Sequence, residues 1–147
     1  SDEKDNKENP EEQYSYMPDL DSILDDDVVY NFTVIHPDYG SIAFPDGFKV
    51  KKIDPKNKIV IRDRKIEVNV SNPMKNALGI DKNFISIVTL KNIFPSENRK
   101  QESLREYETD LRKFCDDHNL KFISYFYEDG VLMFSVPSLA YFPVEIE

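Results

Sequence analysis

The stretch Val28–Phe44, VVYNFTVIHPDYGSIAF, decides the reading of the fold. Its first eight residues are rich in β-branched and aromatic side chains, which suit a pleated, half-buried surface, so Val28–Ile35 reads as one strand. His36-Pro37-Asp38 breaks it, because proline has no N–H to give a sheet ladder and restricts the residue before it. Tyr39–Phe44 returns as a second strand, and Pro45-Asp46-Gly47 has turn chemistry.

Working outward, Lys58–Ile61 and Lys65–Val70 read as two more strands. In the second, Ile66, Val68 and Val70 alternate with Lys65, Glu67 and Asn69, the mark of a half-buried strand. Ser71–Lys82, with Asn-Pro and Gly79, reads as a loop. Phe84–Leu90 is apolar on both faces and predicts a central strand. Residues 97–118 predict one long helix: Leu104, Tyr107, Leu111, Phe114, Cys115 and His118 recur at three- and four-residue spacing, and Glu108 is placed to pair with Arg112. Lys121–Tyr127 and Val131–Val136 flank Glu128-Asp129-Gly130 as a hairpin. Upstream, Gln13–Met17 predicts a short strand stopped by Pro18. Asp19 then caps a short helix to Leu24, with Leu20, Ile23 and Leu24 on one face. The sum is an α+β domain with a mostly antiparallel sheet, one short helix and one long helix.

A chain of 147 residues with 39% hydrophobic residues suits one domain with one core. The net charge of −9 is unevenly placed. Residues 1–27 hold eleven of the 28 acidic and two of the 19 basic residues, so residues 28–147 hold seventeen of each. Residues 1–12 contain no hydrophobic side chain and read as a disordered acidic leader. One cysteine excludes an internal disulfide framework. The apolar runs are too short to span a bilayer, and no signal-peptide pattern opens the chain. The sequons at Asn31 and Asn69 fall inside predicted strands and read as chance matches.

Candidate chemistry is sparse. His118 reads as a helix-end residue complementing the dipole, and Cys115, on the apolar helix face, as a small buried hydrophobe. Two scattered histidines and one cysteine make no zinc site, and no other metal or cofactor is expected. Asp19, Asp21, Asp25, Asp26 and Asp27 lack the glycine and closing glutamate of a calcium loop and read as capping and surface charge. Four single glycines build no phosphate-cradling loop, so no small-molecule substrate is implied. Asp38–Phe44 loosely resembles an RNA-stacking strand, with Tyr39 and Phe44 as its aromatics. Beside it, Lys49, Lys51, Lys52, Lys56, Lys58, Arg62, Arg64 and Lys65 form a basic stretch that fits phosphates or an acidic partner, or simply a solvated face. RNA binding is therefore a competing reading, weakened by the neutral body.

Several segments, in order, resemble the C-terminal autopeptidase-type domain of the FG-repeat (GLFG-repeat) nucleoporins. They are Tyr14–Pro18 with Asp19–Leu24, Phe32–Ile35 with Tyr39–Phe44, and Ala77-Leu78-Gly79 with Ile87–Leu90 and Ile93-Phe94-Pro95. Tyr107-Glu108 with Leu111, and Phe122, Tyr125, Gly130 and Phe134–Val136, complete the set, which covers residues 13–139. The resemblance implies a β-sandwich-like core of six or seven strands flanked by helices. It also implies location at the nuclear pore, a role in nucleocytoplasmic transport, and anchoring to a β-propeller scaffold nucleoporin or a nucleoporin peptide.

The family cuts its own chain after a His-Phe pair, with the following Ser as nucleophile. On that motif Ser138 takes the His position, Leu139 the Phe position and Ala140 the Ser position, so base and nucleophile are both absent. The resemblance thus implies a non-cutting binding domain, with a self-cleaving domain as its alternative. Phe134, Val136, Tyr141 and Phe142 are the expected partner-binding residues. The tail, residues 140–147, has the composition of the family's peptide and is expected to pack on its own domain near the C-terminal strand.

Overall fold

The computed structural model describes residues 13–71, 80, 83–96 and 103–147. The leader, the 77–79 motif, most of the 71–82 loop and the first residues of the expected long helix lie outside the described residues.

The predicted Val28–Ile35 strand is in fact two. Strand β1 is Ser15–Met17, β2 is Val28–Val29 and β3 is Phe32–His36. The break falls at Tyr30-Asn31, where Asn31 takes a left-handed backbone (φ 59°). Asparagine tolerates that conformation better than most side chains, a turn signal hidden inside a β-rich run. Strand β4, Gly40–Phe44, pairs with β3 in the register Phe32↔Phe44 to His36↔Gly40. Gly40 has φ 144°, and a Cβ there would collide with the carbonyl oxygen of Thr89. Glycine is what lets β4 lie this close to its neighbour.

After β5, Phe48–Lys49, come two short helices that the sequence reading missed: α1, Val50–Ile53, and α2, Pro55–Lys58. Each is a single turn, too short for a helical period to register. Strands β6 (Ile59–Arg62) and β7 (Lys65–Val68) follow as a hairpin, then β8 (Ser86–Leu90). Helix α3 spans Leu104–Asp117, capped by the Ser103 side chain accepting from Glu106 N–H. Strands β9 (Lys121–Phe126) and β10 (Val131–Val136) form the closing hairpin, and β11 is Val144–Glu145.

The main sheet has six strands in the order β1-β3-β4-β8-β10-β9, each neighbouring pair antiparallel. Strand β8 is central, as its apolar composition predicts. A three-stranded sheet, β11-β7-β6, and a two-stranded ribbon, β2-β5, complete the strands. Phe32, Val34, Ile42, Phe44, Val88, Leu90, Leu132, Phe134 and Val136 are buried on one face of the main sheet. Against them pack Ile59, Ile61 and Ile66 of the second sheet, Phe48 of the ribbon, and Tyr107, Leu111 and Cys115 of α3. The Asp19-capped segment is a 3-10 turn, Leu20–Ser22. Leu20 and Ile23 are buried as expected, but Leu24 is 70% exposed because the turn ends before a second helical row can form.

Candidate functional site

The cleavage-motif positions sit just past β10. Pro137 ends the strand, and Ser138 caps a 3-10 turn over Leu139–Tyr141. The Ser138 Oγ accepts from Ala140 N–H at 3.2 Å, and Ser138 O accepts from Tyr141 N–H at 3.1 Å. Leu139 is buried, while Ala140, which the resemblance sets at the nucleophile position, is exposed and carries no hydroxyl. His36 lies at the opposite end of the sheet. Register runs from Val136 across to Ser86 at one end and from His36 across to Gly40 and Leu90 at the other, four residues or about 13 Å away. His36 Nδ1 accepts from Asp38 N–H at 3.1 Å. Burial lowers its pKa, opposed by Asp38 and assisted by Lys91. His118 caps the end of α3, with Nδ1 2.9 Å from Phe114 O and its ring stacked on Phe114.

Beyond the turn the chain does not stay beside β10. It crosses to β7, pairing Val144 with Ile66 and Glu145 with Lys65. Val144 and Ile146 are buried and Glu145 is exposed, the alternation of a strand with one inward face. Arg64 holds this tail. It sits in the two-residue turn between β6 and β7 with a left-handed backbone (φ 63°). Its carbonyl accepts from Ile146 N–H at 2.8 Å. Its guanidinium donates to Ile146 O at 3.2 Å, Glu147 O at 2.8 Å, Phe94 O at 3.2 Å and the Tyr107 hydroxyl at 3.1 Å. Tyr125, whose hydroxyl donates to Ile93 O, closes the cluster edge-on to Tyr107. Burial, with Tyr107 beside it, pushes the Tyr125 phenol up to about 12, so it stays a neutral donor.

Several expected binding residues are placed otherwise. Phe134 and Val136 are core residues with no exposed surface, because β10 turns them to the inner face of the sheet. As fully buried core residues they cannot touch a partner. Tyr141 is 41% exposed and Phe142 packs partly against the core, so of the four only these present surface.

The basic stretch is divided. Lys49, Lys51 and Lys52 cluster at β5 and α1, where Asp26 lies 3.9 Å from Lys49 and 3.8 Å from Lys52. Lys58 ends α2, and Arg62 shares Glu67 with Lys65 at 3.5 and 3.8 Å. Such exposed pairs contribute little stability but do screen the field seen by an approaching phosphate. Arg64 leaves the patch altogether as the tail's clamp. The sequence reading left Arg64 between the predicted strands Lys58–Ile61 and Lys65–Val70 and gave it no role beyond the basic stretch; the clamp needed tertiary structure. The RNA-stacking expectation is also corrected. Phe44 is buried against Phe48 and Phe84, and Tyr39 stacks on His36. Cys115 is buried, and burial followed by Asp116 pushes its thiol up to about 11, away from nucleophilic chemistry.

A family model described as nucleoporin Nup98-96 autopeptidase S59 matches residues 11–142. The chain is 29% identical over 131 residues to the nuclear pore complex protein Nup98-Nup96 of Drosophila melanogaster, covering 82% of this chain and 7% of that protein. It is 29% identical over 115 residues to Nup98-Nup96 of Dictyostelium discoideum, covering 74% of this chain and 6% of that protein. The chain thus spans a small fraction of these relatives' length. The fold is shared with the autopeptidase domain of Chaetomium thermophilum Nup145N, a threonine-to-alanine mutant fused to an N-terminal part of Nup145C (TM-score 0.70, 23% identity, 86% of this chain and 94% of that one). It is shared too with a chain of the yeast Nup82-Nup159-Nup116 complex (TM-score 0.69, 20% identity, 88% and 98%). The motif order, the six-stranded antiparallel sheet and the match across residues 11–142 converge, and the chain belongs to the Nup98-96 autopeptidase S59 family of nucleoporins.

Proposed function

We propose that this nuclear pore domain is a non-cutting interaction module that anchors a nucleoporin to the pore scaffold. The observation that carries the reading is the Ser138-Leu139-Ala140 turn. A hydroxyl next to the scissile carbonyl is required for an N-to-O acyl shift, and Ala140 has none. The Ser138 hydroxyl, two residues upstream, accepts from a backbone N–H and lies a sheet's length from His36. The intact mass of freshly made protein tests this: one species at full mass is expected, and a fragment pair parting between Leu139 and Ala140 would overturn it.

The tail is the second part of the proposal. Val144, Ile146 and the Arg64 clamp let residues 140–147 fill in cis the groove that a nucleoporin peptide would fill in trans. The remaining surface then docks on other nucleoporins, of β-propeller or extended-peptide type. A yeast relative of the same fold is found in a complex with Nup82 and Nup159, which makes protein partners the reading of choice over RNA. Pull-down from a pore-containing extract is expected to retain nucleoporins in a manner nearly independent of salt. Retention of RNA alone, with a steep salt dependence, would reverse the assignment.

A further inference from the structure

The six-stranded sheet has a second face, and among the described residues nothing packs on it. The three-stranded sheet, the β2-β5 ribbon and α3 all send their buried side chains to the core face. Register aligns two rows across the outer face. One runs Thr33, Ala43, Ile87, Ser135, and the other Ile35, Ser41, Thr89, Met133. Met17 and Phe126, both more than half exposed, stand at opposite margins. Lys121, at one corner, is the one charged side chain that the register places there among the described residues. A solvent face of an antiparallel sheet ordinarily alternates the core residues with charged ones. This one carries methyls, hydroxyls and thioethers instead.

The edges of the strands, by contrast, are guarded. Strand β1 is three residues long and is followed by Pro18. On β6, the Tyr14 hydroxyl accepts from Ile61 N–H at 3.0 Å and donates to Ile61 O at 3.3 Å, and Ile59 N–H donates to Pro55 O. Strand β9 is interrupted by a bulge at Ile123, where the register against Met133 and Phe134 shifts. Short strands, proline, capping side chains and bulges all discourage edge-to-edge pairing. Strand addition is discouraged at these edges, and among the described residues the outer face, with Lys121 at its corner, is left open.

We propose that this outer face is the contact surface of a two-fold dimer of the chain, sheet upon sheet. An uncharged face has no sign to be matched, so a second copy is complementary to it under a two-fold axis. Five of its six strands come from residues 28–147, which hold seventeen charges of each sign, and the net −9 of the chain lies in residues 1–27. Six strands about 4.8 Å apart and five residues at about 3.3 Å each make a face of roughly 29 by 16 Å. Two such faces bury about 900 Å² in projection and more once corrugation is counted, which reaches the lower end of specific interfaces near about 1,200 Å². The contact is therefore weak and concentration-dependent, with dissociation on the order of 10–100 µM.

Sedimentation velocity of the full chain from 1 to about 300 µM tests this. The expected result is a monomer-to-dimer shift that the double variant Ile35→Lys/Met133→Lys weakens at least tenfold with an unchanged unfolding midpoint. Should that variant unfold, Ser41→Lys at the centre of the face takes its place. Val60→Lys, on the β6 edge strand of the three-stranded sheet, should leave the dimer unaltered. A chain that stays monomeric at every concentration overturns the proposal. So does a dimer abolished by Val60→Lys but kept by the face variants, which assigns the contact to the second sheet's edge. Protection of the face only when another protein is added assigns it to a different partner and overturns the proposal equally.

Discussion

Replacing Arg64 by Ala removes the clamp on the tail, and its size can be worked from the contacts. Two of the four guanidinium bonds, to Ile146 O and the Tyr107 hydroxyl, are part-buried, and two, to Phe94 O and Glu147 O, are exposed. At about 1–1.5 kcal/mol for each part-buried charge-assisted bond, and little for the exposed ones, the loss is about 2–3 kcal/mol. That lowers the unfolding midpoint by about 6–12 °C for a chain of this size. Arg64 is also left-handed, so Ala keeps the backbone strain that Gly would release. Arg64→Gly should therefore lose about 1 kcal/mol less than Arg64→Ala. The loss is local first. Ile146 N–H, bonded to Arg64 O, should exchange about 30–150 times faster, while Phe134 in β10 follows only the global change. Urea unfolding and hydrogen exchange measure both quantities. A stability change under about 0.5 kcal/mol with unchanged exchange at Ile146 would refute the clamp, and unprotected amides over 140–146 in the parent chain would refute the docked tail.

Three further outcomes are expected. Tyr14→Phe leaves both Ile61 backbone groups on the β6 edge without their hydroxyl and should cost about 1–2 kcal/mol in urea unfolding; no measurable loss would mean that water replaces the phenol freely. His36 has its folded-state pKa lowered below 6.5, chiefly by burial, so the unfolded chain takes up its proton first. Its contribution is complete above pH 6.5 and is lost as the pH falls below it. Thermal unfolding from pH 8 to 5 should decline in that window and flatten in His36→Asn; identical slopes in both proteins would contradict the assignment. Ala140→Ser restores a hydroxyl but no base, so mass spectrometry should still find the intact chain. Cleavage of that variant would show that a base is already in place.

Much of the architecture was legible because its cause is local. The β-branched run Phe32–Ile35, the glycine at 40, the alternation of Lys65–Val68 and the three-four spacing of Tyr107, Leu111 and Cys115 each encode an element within a few residues. Where the encoding was one residue deep, as at Asn31, or one turn long, as in α1 and α2, the reading ran past it. Candidate site residues fared less well. Phe134 and Val136 look like exposed recognition residues only until the sheet has an inside and an outside, and that choice depends on which face meets β6, β7 and α3.

The identities at 138–140 are a property of the sequence alone: on the proposed alignment to the family's cleavage motif a Ser, a Leu and an Ala meet the base, aromatic and nucleophile positions, and no packing can add a hydroxyl to Ala140. The family membership is likewise carried by the order of motifs along the chain. Tertiary structure decided where the tail goes and what Arg64 does. Those contacts join residues about eighty positions apart, Arg64 with Ile146 and Glu147, and nothing in the charge or spacing of a two-residue turn specifies which distant carbonyls will converge on it. The outer face, open among the described residues, is of the same kind. Each of its residues is unremarkable in its own strand, and only the register of six strands lays them side by side.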